Sequence, residues 1–354
     1  MKRTQSTYSK YNEIDMANSE QRKLQSHPRL IIIAIGLMLL VGAIIIFLDR
    51  DQVRQLEGKA EWNYLGIALG FIAVSYLFES MSTVVILRVF GVGLEKFYLL
   101  RLGLVSAVLS NLIALPASLA LRLLVLRRHG VSQSQTVGSS LLLSYFKNLI
   151  FYSLIPISLV YIILTYPLAF GGISIMVLII VILVAAIVVA TVIVFNGRVR
   201  SFVLRILGHI WHFLTRKNIE TSLNNFGDSI TQGITELKQK RKFGLLLGAL
   251  VIGDVAAMIT GLFFCFKALS IPVHLGVLIT GFNFGITLTV ISFIPGDIGV
   301  QEASIAGILA IFGVPFSQGV LGAILFRVLY YFVPFIFSLG FYWSLLRETR
   351  EKQE

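Results

Sequence analysis

Apolar residues occur along this chain in long runs that are separated by short polar stretches. A helix that crosses a bilayer needs about 20 mostly apolar residues, so runs of this length predict membrane spans. Six runs qualify: Leu30–Leu48, Asn63–Val89, Thr136–Leu164, Gly172–Phe195, Phe243–Leu269 and Phe316–Trp343. The pattern therefore predicts an all-α polytopic integral membrane protein with about six transmembrane helices.

Two other apolar stretches, 98–126 and 275–312, are interrupted by residues that disturb a regular helix. Proline lacks an amide donor, and glycine permits backbone shapes that other residues resist. Such backbone is tolerated at membrane depth only where it is buried in protein or lines a wet cavity. We therefore expect two re-entrant broken hairpins. Their predicted tip residues are Pro116, Pro295, Gly296 and Gly299.

The distribution of basic residues predicts how the chain is oriented. Lys and Arg cluster in residues 1–29 and again in 197–242, and both clusters are expected on the cytoplasmic side. Four clear spans separate the clusters, so they share a side only if 98–126 does not cross. This places both termini in the cytoplasm, with the first hairpin entering from that side and the second from the outer side. The expected location is the cell (inner or plasma) membrane.

This topology divides the chain into five parts, two of which form the membrane domain. Within 196–242, apolar residues recur at helical spacing beside basic ones, which is typical of amphipathic helices at a membrane surface. The parts are a disordered cytoplasmic tail (1–29), membrane half one with hairpin 98–126 (30–195), cytoplasmic amphipathic helices (196–242), membrane half two with hairpin 275–312 (243–343) and a cytoplasmic tail (344–354).

A short internal similarity indicates that the two membrane halves are copies of one unit. Segment 130–137 matches segment 313–320 at five of eight positions, so residue 313 corresponds to residue 130. The same offset carries Asn63 to Leu246, so each unit reads as span, broken hairpin, span. Because the predicted topology gives the units opposite orientations, we expect the inverted repeat found in many transporters.

Composition narrows the class of protein further. Hydrophobic residues make up 56% and charged residues only 14%, whereas a soluble domain carries roughly 25% charge, which excludes a soluble enzyme. In a membrane protein the net charge of +12 indicates contact with anionic lipid and not with nucleic acid. One cysteine permits no intramolecular disulfide, and the five histidines lack metal-ligand spacing. We expect no metal and no other cofactor.

Charged residues inside the apolar runs are candidates for function because a charge at membrane depth is costly. Glu79 is one of them, but it is expected nearer the cytoplasmic end of its span. Arginine can hold a phosphate with two parallel hydrogen bonds, whereas lysine acts as a point charge. Glu302 is expected to pair with Arg327 or Lys147, and Asp297 either caps the helix that follows it or acts directly. The predicted substrate-binding residues are Arg122, Lys147, Asp254, Asp297, Glu302 and Arg327.

The segment Pro295–Glu302, followed by Gly313 and Arg327, resembles the transmembrane domain of the lysylphosphatidylglycerol synthase/flippase family. The resemblance covers about residues 30–343, and it implies a protein that moves lipids such as aminoacylated phosphatidylglycerol between leaflets. Asp297 departs from the family, which usually has a second glycine there. The synthases also carry an aminoacyl-transferase domain after the membrane region. This chain ends at Glu354, so we expect no such domain in it.

Three functions remain open at this point. The first is a flippase for an anionic phospholipid or a polyprenyl-phosphate lipid, with no catalytic residues. The second is a non-catalytic membrane partner that recruits a lipid- or envelope-synthesis enzyme through 197–242. The third is an enzyme acting on a lipid phosphate, which is disfavoured because the chain lacks an aspartate-rich magnesium motif. The sequence does not indicate an oligomeric state.

Overall fold

The computed structural model describes residues 61–112, 115–167, 169–215, 220–292 and 299–351. The predicted tail 1–29, the predicted span Leu30–Leu48, the predicted tip residues Pro295 and Gly296, and the predicted binding residue Asp297 lie outside the described residues. The described residues form helices joined by short turns. The helices are α1 (Trp62–Val89), α2 (Lys96–Leu112), α3 (Leu115–Arg127), α4 (Gln133–Thr165), α5 (Phe170–Phe195), α6 (Gly197–Thr215), α7 (Glu220–Gln239), α8 (Arg241–Ala268), α9 (Leu275–Ser292), α10 (Val300–Ile311), α11 (Phe316–Arg327) and α12 (Val333–Glu351), with a π-helical turn (Val328–Phe332) between α11 and α12.

Five of these elements are long and apolar enough to cross a membrane: α1, α4, α5, α8 and the continuous segment Phe316–Leu345. They correspond to the last five of the six predicted spans. The prediction of an all-α polytopic membrane protein is therefore confirmed. The side of the membrane from which each hairpin enters stays a prediction.

The helix boundaries repeat along the chain. Helices α1 and α8 both have 28 residues, and their starts are as far apart in sequence as the starts of α2 and α9. The starts of α4 and α11 are separated by four positions more, which is the separation of residues 130 and 313. The second copy is therefore longer than the first by four residues between the start and the end of its hairpin. The expected match of Asn63 to Leu246 is wrong, since the offset between residues 130 and 313 holds only after the hairpin.

The turns that follow the two hairpins have the same backbone structure. The N–H of Gly130 donates to Arg127 O and that of Val131 to Leu126 O, and the same pattern recurs after α10 around Gly313. Gly130 and Gly313 have φ angles of 76° and 88°, which glycine adopts without the steric penalty of a side chain. Both turns are Schellman caps, in which a left-handed residue ends the helix. The similarity of 130–137 to 313–320 thus reflects a shared turn.

Helices α1 and α8 pack side by side in antiparallel directions. The amide of Glu61, at the start of α1, donates to the carbonyl of Ala268, at the end of α8, over 2.9 Å. Halfway along the pair, Ser75 contacts Asp254. These two residues are separated in sequence by the same offset as the starts of α1 and α8, so each copy contributes the same position to the contact. That geometry is what a two-fold axis between α1 and α8 requires, and it fits oppositely oriented copies.

Each hairpin packs against the last span of the other copy. Helix α2 contacts α12, where Arg101 donates to Ser344 over 2.6 Å. Helix α9 contacts α4, where the rings of Phe282 and Phe151 are 6.4 Å apart. The two copies are consequently interlocked and do not form separate subdomains.

Helices α5 to α7 lie beside this core. None of the described side chains of α5 is buried, so its apolar surface is available to lipid. Arg200 of α6 donates to Val194 O at the end of α5 and to Thr231 of α7, and its burial lowers the pKa of its guanidinium. Arg200 therefore ties these three helices together.

Candidate functional site

Three ionised side chains from three helices meet near the centre of the α1–α8 pair. The ammonium of Lys147 on α4 lies 2.8 Å from Glu79 of α1 and 3.3 Å from Asp254 of α8. The Lys147 side chain is 21% exposed, compared with 11% for Glu79 and 3% for Asp254. A single cation thus serves two buried carboxylates, and we call these three residues the central cluster.

The helix geometry of α1 explains how the central cluster is built. Ser75 and Glu79 are one turn apart, so both project from the same face of α1. The Ser75 hydroxyl donates to one carboxylate oxygen of Asp254 over 2.6 Å, and Lys147 contacts the other oxygen. Asp254 therefore has both oxygens engaged. One oxygen of Glu79, Oε2, is buried and has no hydrogen-bond partner among the described residues.

Arg122 on α3 lies beside the central cluster but forms no ion pair with it. Its guanidinium donates to the hydroxyls of Thr83 on α1, at 3.1 Å, and Ser140 on α4, at 3.2 Å. Arg122 is 6% exposed, and its Nε has no hydrogen-bond partner in the part of the chain that the structure describes. Glu79 is near enough to interact with it electrostatically. Arg122 is thus a buried cation held by neutral oxygens.

A second pair of charges joins the second hairpin to the last span. Arg327, at the end of α11, forms an ion pair with Glu302 in the first turn of α10. The same carboxylate accepts the N–H of Gly299 at 2.9 Å, so Glu302 also caps α10. The sequence predicted that Glu302 pairs with Arg327 or Lys147, and in the structure it pairs with Arg327. Asp297, which was predicted either to cap this helix or to act directly, lies outside the described residues.

The π-helical turn separates these two groups of charges. Tyr330 lies near Asp254 and Glu79, while the Tyr331 hydroxyl donates to Gln301 beside Arg327. A π-helical turn disturbs the regular backbone pairing of a helix, and here the Tyr330 carbonyl accepts the Tyr76 hydroxyl at 2.9 Å. Such turns are frequent at functional sites. At this turn the last span therefore presents Tyr330 to the central cluster and Tyr331 to the side of Arg327.

The structure therefore distributes the predicted binding residues over two groups. Arg122, Lys147 and Asp254 come together, and Glu302 and Arg327 form a separate pair. Of the predicted tip residues, Pro116 is exposed in the first turn of α3, and Gly299 precedes α10 with a φ of 83°.

The predicted site omitted several residues that complete these groups. Glu79 is one of the charged residues in the apolar runs but is not among the predicted binding residues, and the hydroxyls around it are absent from the prediction as well. A signal existed in the sequence, because Ser75, Glu79 and Thr83 recur every fourth residue in a mostly apolar helix and so form one polar stripe.

One further cavity lies apart from both groups. It has a volume of about 240 Å³ and is bounded by the turns after α4, α8 and α10. Tyr166, His274, Phe312 and Gln318 are among its lining residues, and none of the predicted binding residues lines it. We assign no role to this cavity.

Comparison with known proteins adds one finding. The sequence profile of the lysylphosphatidylglycerol synthase TM region matches residues 31–338, which is most of the chain. No curated protein gave a significant match.

Proposed function

The chain belongs to the lysylphosphatidylglycerol synthase transmembrane-region family, and from this membership and the site we propose a function. The protein binds the phosphate of an anionic lipid at Arg122 and moves that lipid between the two leaflets. The lipid is a phospholipid or a polyprenyl-phosphate lipid. No catalytic step is part of this proposal.

The environment of Arg122 is the observation that carries the proposal. A buried charge is normally compensated by a partner of opposite sign, because leaving water is costly for an ion. Among the described residues, Arg122 contacts only hydroxyl oxygens, and its Nε has no partner. A phosphate oxygen would supply both a negative charge in direct contact with the guanidinium and the missing acceptor. The planar guanidinium suits phosphate because it can donate two parallel hydrogen bonds.

The arrangement around Arg122 supports movement of the bound lipid rather than storage. The site lies beside the contact between Ser75 and Asp254, where the two copies of the repeat meet. Inverted repeats commonly exchange roles between two faces of a membrane around a central site. The pair Arg327–Glu302 lies between the second hairpin and the last span, so breaking it would free these elements to move. We propose that this pair opens and closes during transport.

The location belongs to the same proposal. The protein is an integral membrane protein, and we propose that it resides in the cell (inner or plasma) membrane with both termini in the cytoplasm. The first hairpin, which contains Arg122, then enters from the cytoplasmic leaflet.

Lipid movement can be measured with the purified protein in vesicles. Phosphatidylglycerol carrying a fluorescent NBD head group is placed in both leaflets, and dithionite then destroys the outer fluorophores. The natural sequence should accelerate loss of the inner signal, and Arg122→Gln should reduce that rate at least tenfold. Arg127→Gln is the matched control, since Arg127 is an exposed arginine on the same helix. An unchanged rate in Arg122→Gln would refute the proposed site.

A second function rests on α6. Its exposed face includes Phe202, Ile206 and Ile210, which are 61%, 43% and 50% exposed. This face suits either the membrane surface or a partner such as a lipid- or envelope-synthesis enzyme. Deleting 197–242 separates the cases, because a recruiter would lose its partner whereas a flippase would keep some lipid movement.

A further inference from the structure

The charges around Glu79 balance to zero. Lys147 reaches it from α4, Arg122 approaches it from α3, and Asp254 shares its cation from α8. Tyrosine is neutral at physiological pH, so the nearby tyrosines add no charge. Among the described residues, the titratable or charged groups that face Glu79 from the packed elements are Lys147, Arg122, Asp254, Tyr76 and Tyr330. Two cations thus face two carboxylates.

The two carboxylates are not equally compensated. Asp254 accepts the Ser75 hydroxyl on one oxygen and contacts Lys147 with the other. Glu79 contacts Lys147 through Oε1 only, while its Oε2 has no partner among the described residues. Part of the compensation for Glu79 is therefore electrostatic and comes from Arg122. An anion bound to Arg122 would cancel that contribution.

We propose that binding of an anionic phosphodiester lipid, one with a net negative charge, at Arg122 is coupled to uptake of one proton by Glu79. The inference rests on the proposed function and extends it to the energy source. The bound phosphodiester brings one negative charge into a neutral buried group, and an uncompensated charge there is unfavourable. A proton from water binds to Oε2 of Glu79 and forms a neutral carboxylic acid, which restores the balance. The proton leaves again when the lipid leaves.

The exposure of the central cluster provides a route for this proton. Lys147 is the most exposed of its three side chains, so we propose that the proton reaches the cluster from the Lys147 side. Lipid and proton would cross together without net charge. Transport would then follow a pH gradient and be insensitive to the membrane potential.

Isothermal titration calorimetry tests the coupling on the full chain in detergent. Dihexanoyl phosphatidylglycerol is titrated at one pH in two buffers that differ in ionisation enthalpy. The difference between the two observed enthalpies, divided by the difference between the ionisation enthalpies of the buffers, gives the number of protons taken up per lipid bound. We expect about one proton for the unmodified protein, which is the number that restores charge balance. Binding of dihexanoyl phosphatidylcholine, which has no net charge, should cause no proton uptake. A titration with inorganic phosphate in place of the lipid shows whether a free anion binds as a lipid head group does.

Variants test the role of Glu79 in the proton uptake. Glu79→Gln should still bind the lipid but take up no proton. Glu236→Gln is the control, since Glu236 pairs with Lys240 on the surface of α7. Uptake that persists in Glu79→Gln would overturn the assignment to Glu79.

The outcomes for the unmodified protein separate the two proposals. Lipid binding without proton uptake would overturn the coupling and leave the proposed function intact. Absence of both lipid binding and lipid movement would overturn the proposed function and the coupling with it. These measurements need no variant, so they decide the matter even if Glu79→Gln fails to fold.

Discussion

Ser75 and Asp254 occupy the same position in the two copies of the repeat, and they touch each other across the α1–α8 interface at 2.6 Å. Equivalent residues meet only where a two-fold axis passes between them. Because one residue is a serine and the other an aspartate, the axis relates the backbones but not the charges. The central cluster is therefore asymmetric within a symmetric frame, and the first copy alone supplies Glu79, Arg122 and Lys147.

Removing the shared cation should destabilise the protein. In Lys147→Met, Glu79 and Asp254 would remain buried together without compensation, and breaking a buried ion pair in this way costs about 3–5 kcal/mol. Thermal unfolding in detergent, followed by intrinsic fluorescence, measures the loss. Lys240→Met is the control, because its pair with Glu236 is largely exposed and such pairs contribute only about 0.3–0.5 kcal/mol. Equal losses in both variants would contradict the role of Lys147.

The two contacts of Glu302 can be separated by substitution. Glu302→Gln keeps an oxygen that accepts the Gly299 N–H but removes the charge that pairs with Arg327. Glu302→Ala removes both contacts and should unfold more easily than Glu302→Gln by about 1 kcal/mol, the usual contribution of a helix cap. Urea denaturation of both variants measures this difference. If the two variants were equally stable, the cap would have no energetic role.

The equivalent turns should respond equally to substitution. Gly130→Ala and Gly313→Ala each force a side chain into a left-handed backbone, at a cost of about 1–2 kcal/mol. Gly340→Ala is the control, because Gly340 lies in a regular helix with open space around it and alanine favours helix. Thermal unfolding compares the three variants. A loss of stability in only one of the two turn variants would show that the two turns contribute unequally to the stability of the protein.

Close packing of α1 against α8 should limit the size of residue 261. A side-chain carbon at Gly261 would lie 3.1 Å from Ile72 Cγ1 and 3.4 Å from Ala68 O. Gly261→Leu should therefore destabilise the protein by about 1–3 kcal/mol, as overpacking of a tight interface does. Gly248→Leu, on the same helix with open space around it, should be close to neutral. A similar melting temperature for both variants would contradict tight packing of α1 against α8 at Gly261.

The exposed face of α6 should lie in the lipid surface. Trp211 is 46% exposed on this helix, so it can report the depth of the helix once Trp62 and Trp343 are replaced by Phe. Lipids brominated near the head group should quench Trp211 more strongly than lipids brominated near the chain end, as expected for an interfacial helix. Absence of quenching by either lipid would instead favour a protein partner on this face.

The sequence predicted the spans well because their signal is local. About 20 apolar residues identify a membrane helix without knowledge of its neighbours. The contacts of the site are not local: Arg122 meets Thr83 and Ser140, which lie on two other helices. The predicted position of Glu79, nearer the cytoplasmic end of its span, did not indicate its contact with Lys147. Asp254 corresponds to Ser75, and Glu79 is only one turn beyond Ser75, so both carboxylates reach the same lysine.

The repeat was partly predictable for a related reason. The turns after the hairpins share sequence because their backbone needs glycine at one position, and this similarity gave the offset between residues 130 and 313. The smaller offset between α1 and α8 is harder to see in the sequence, because the equivalent turn after these helices has glycine in the first copy (Gly91) and serine in the second (Ser270). The helix boundaries and the contact between Ser75 and Asp254 show it directly.

The exchange of packing partners between the copies has a consequence for biosynthesis. Helix α2 lies against α12, and the ribosome completes α12 only after the whole second copy has been translated. Throughout that interval the nascent first hairpin has no permanent neighbour on this side. A membrane chaperone, or the insertion machinery itself, would have to shelter the hairpin until translation reaches the end of the chain.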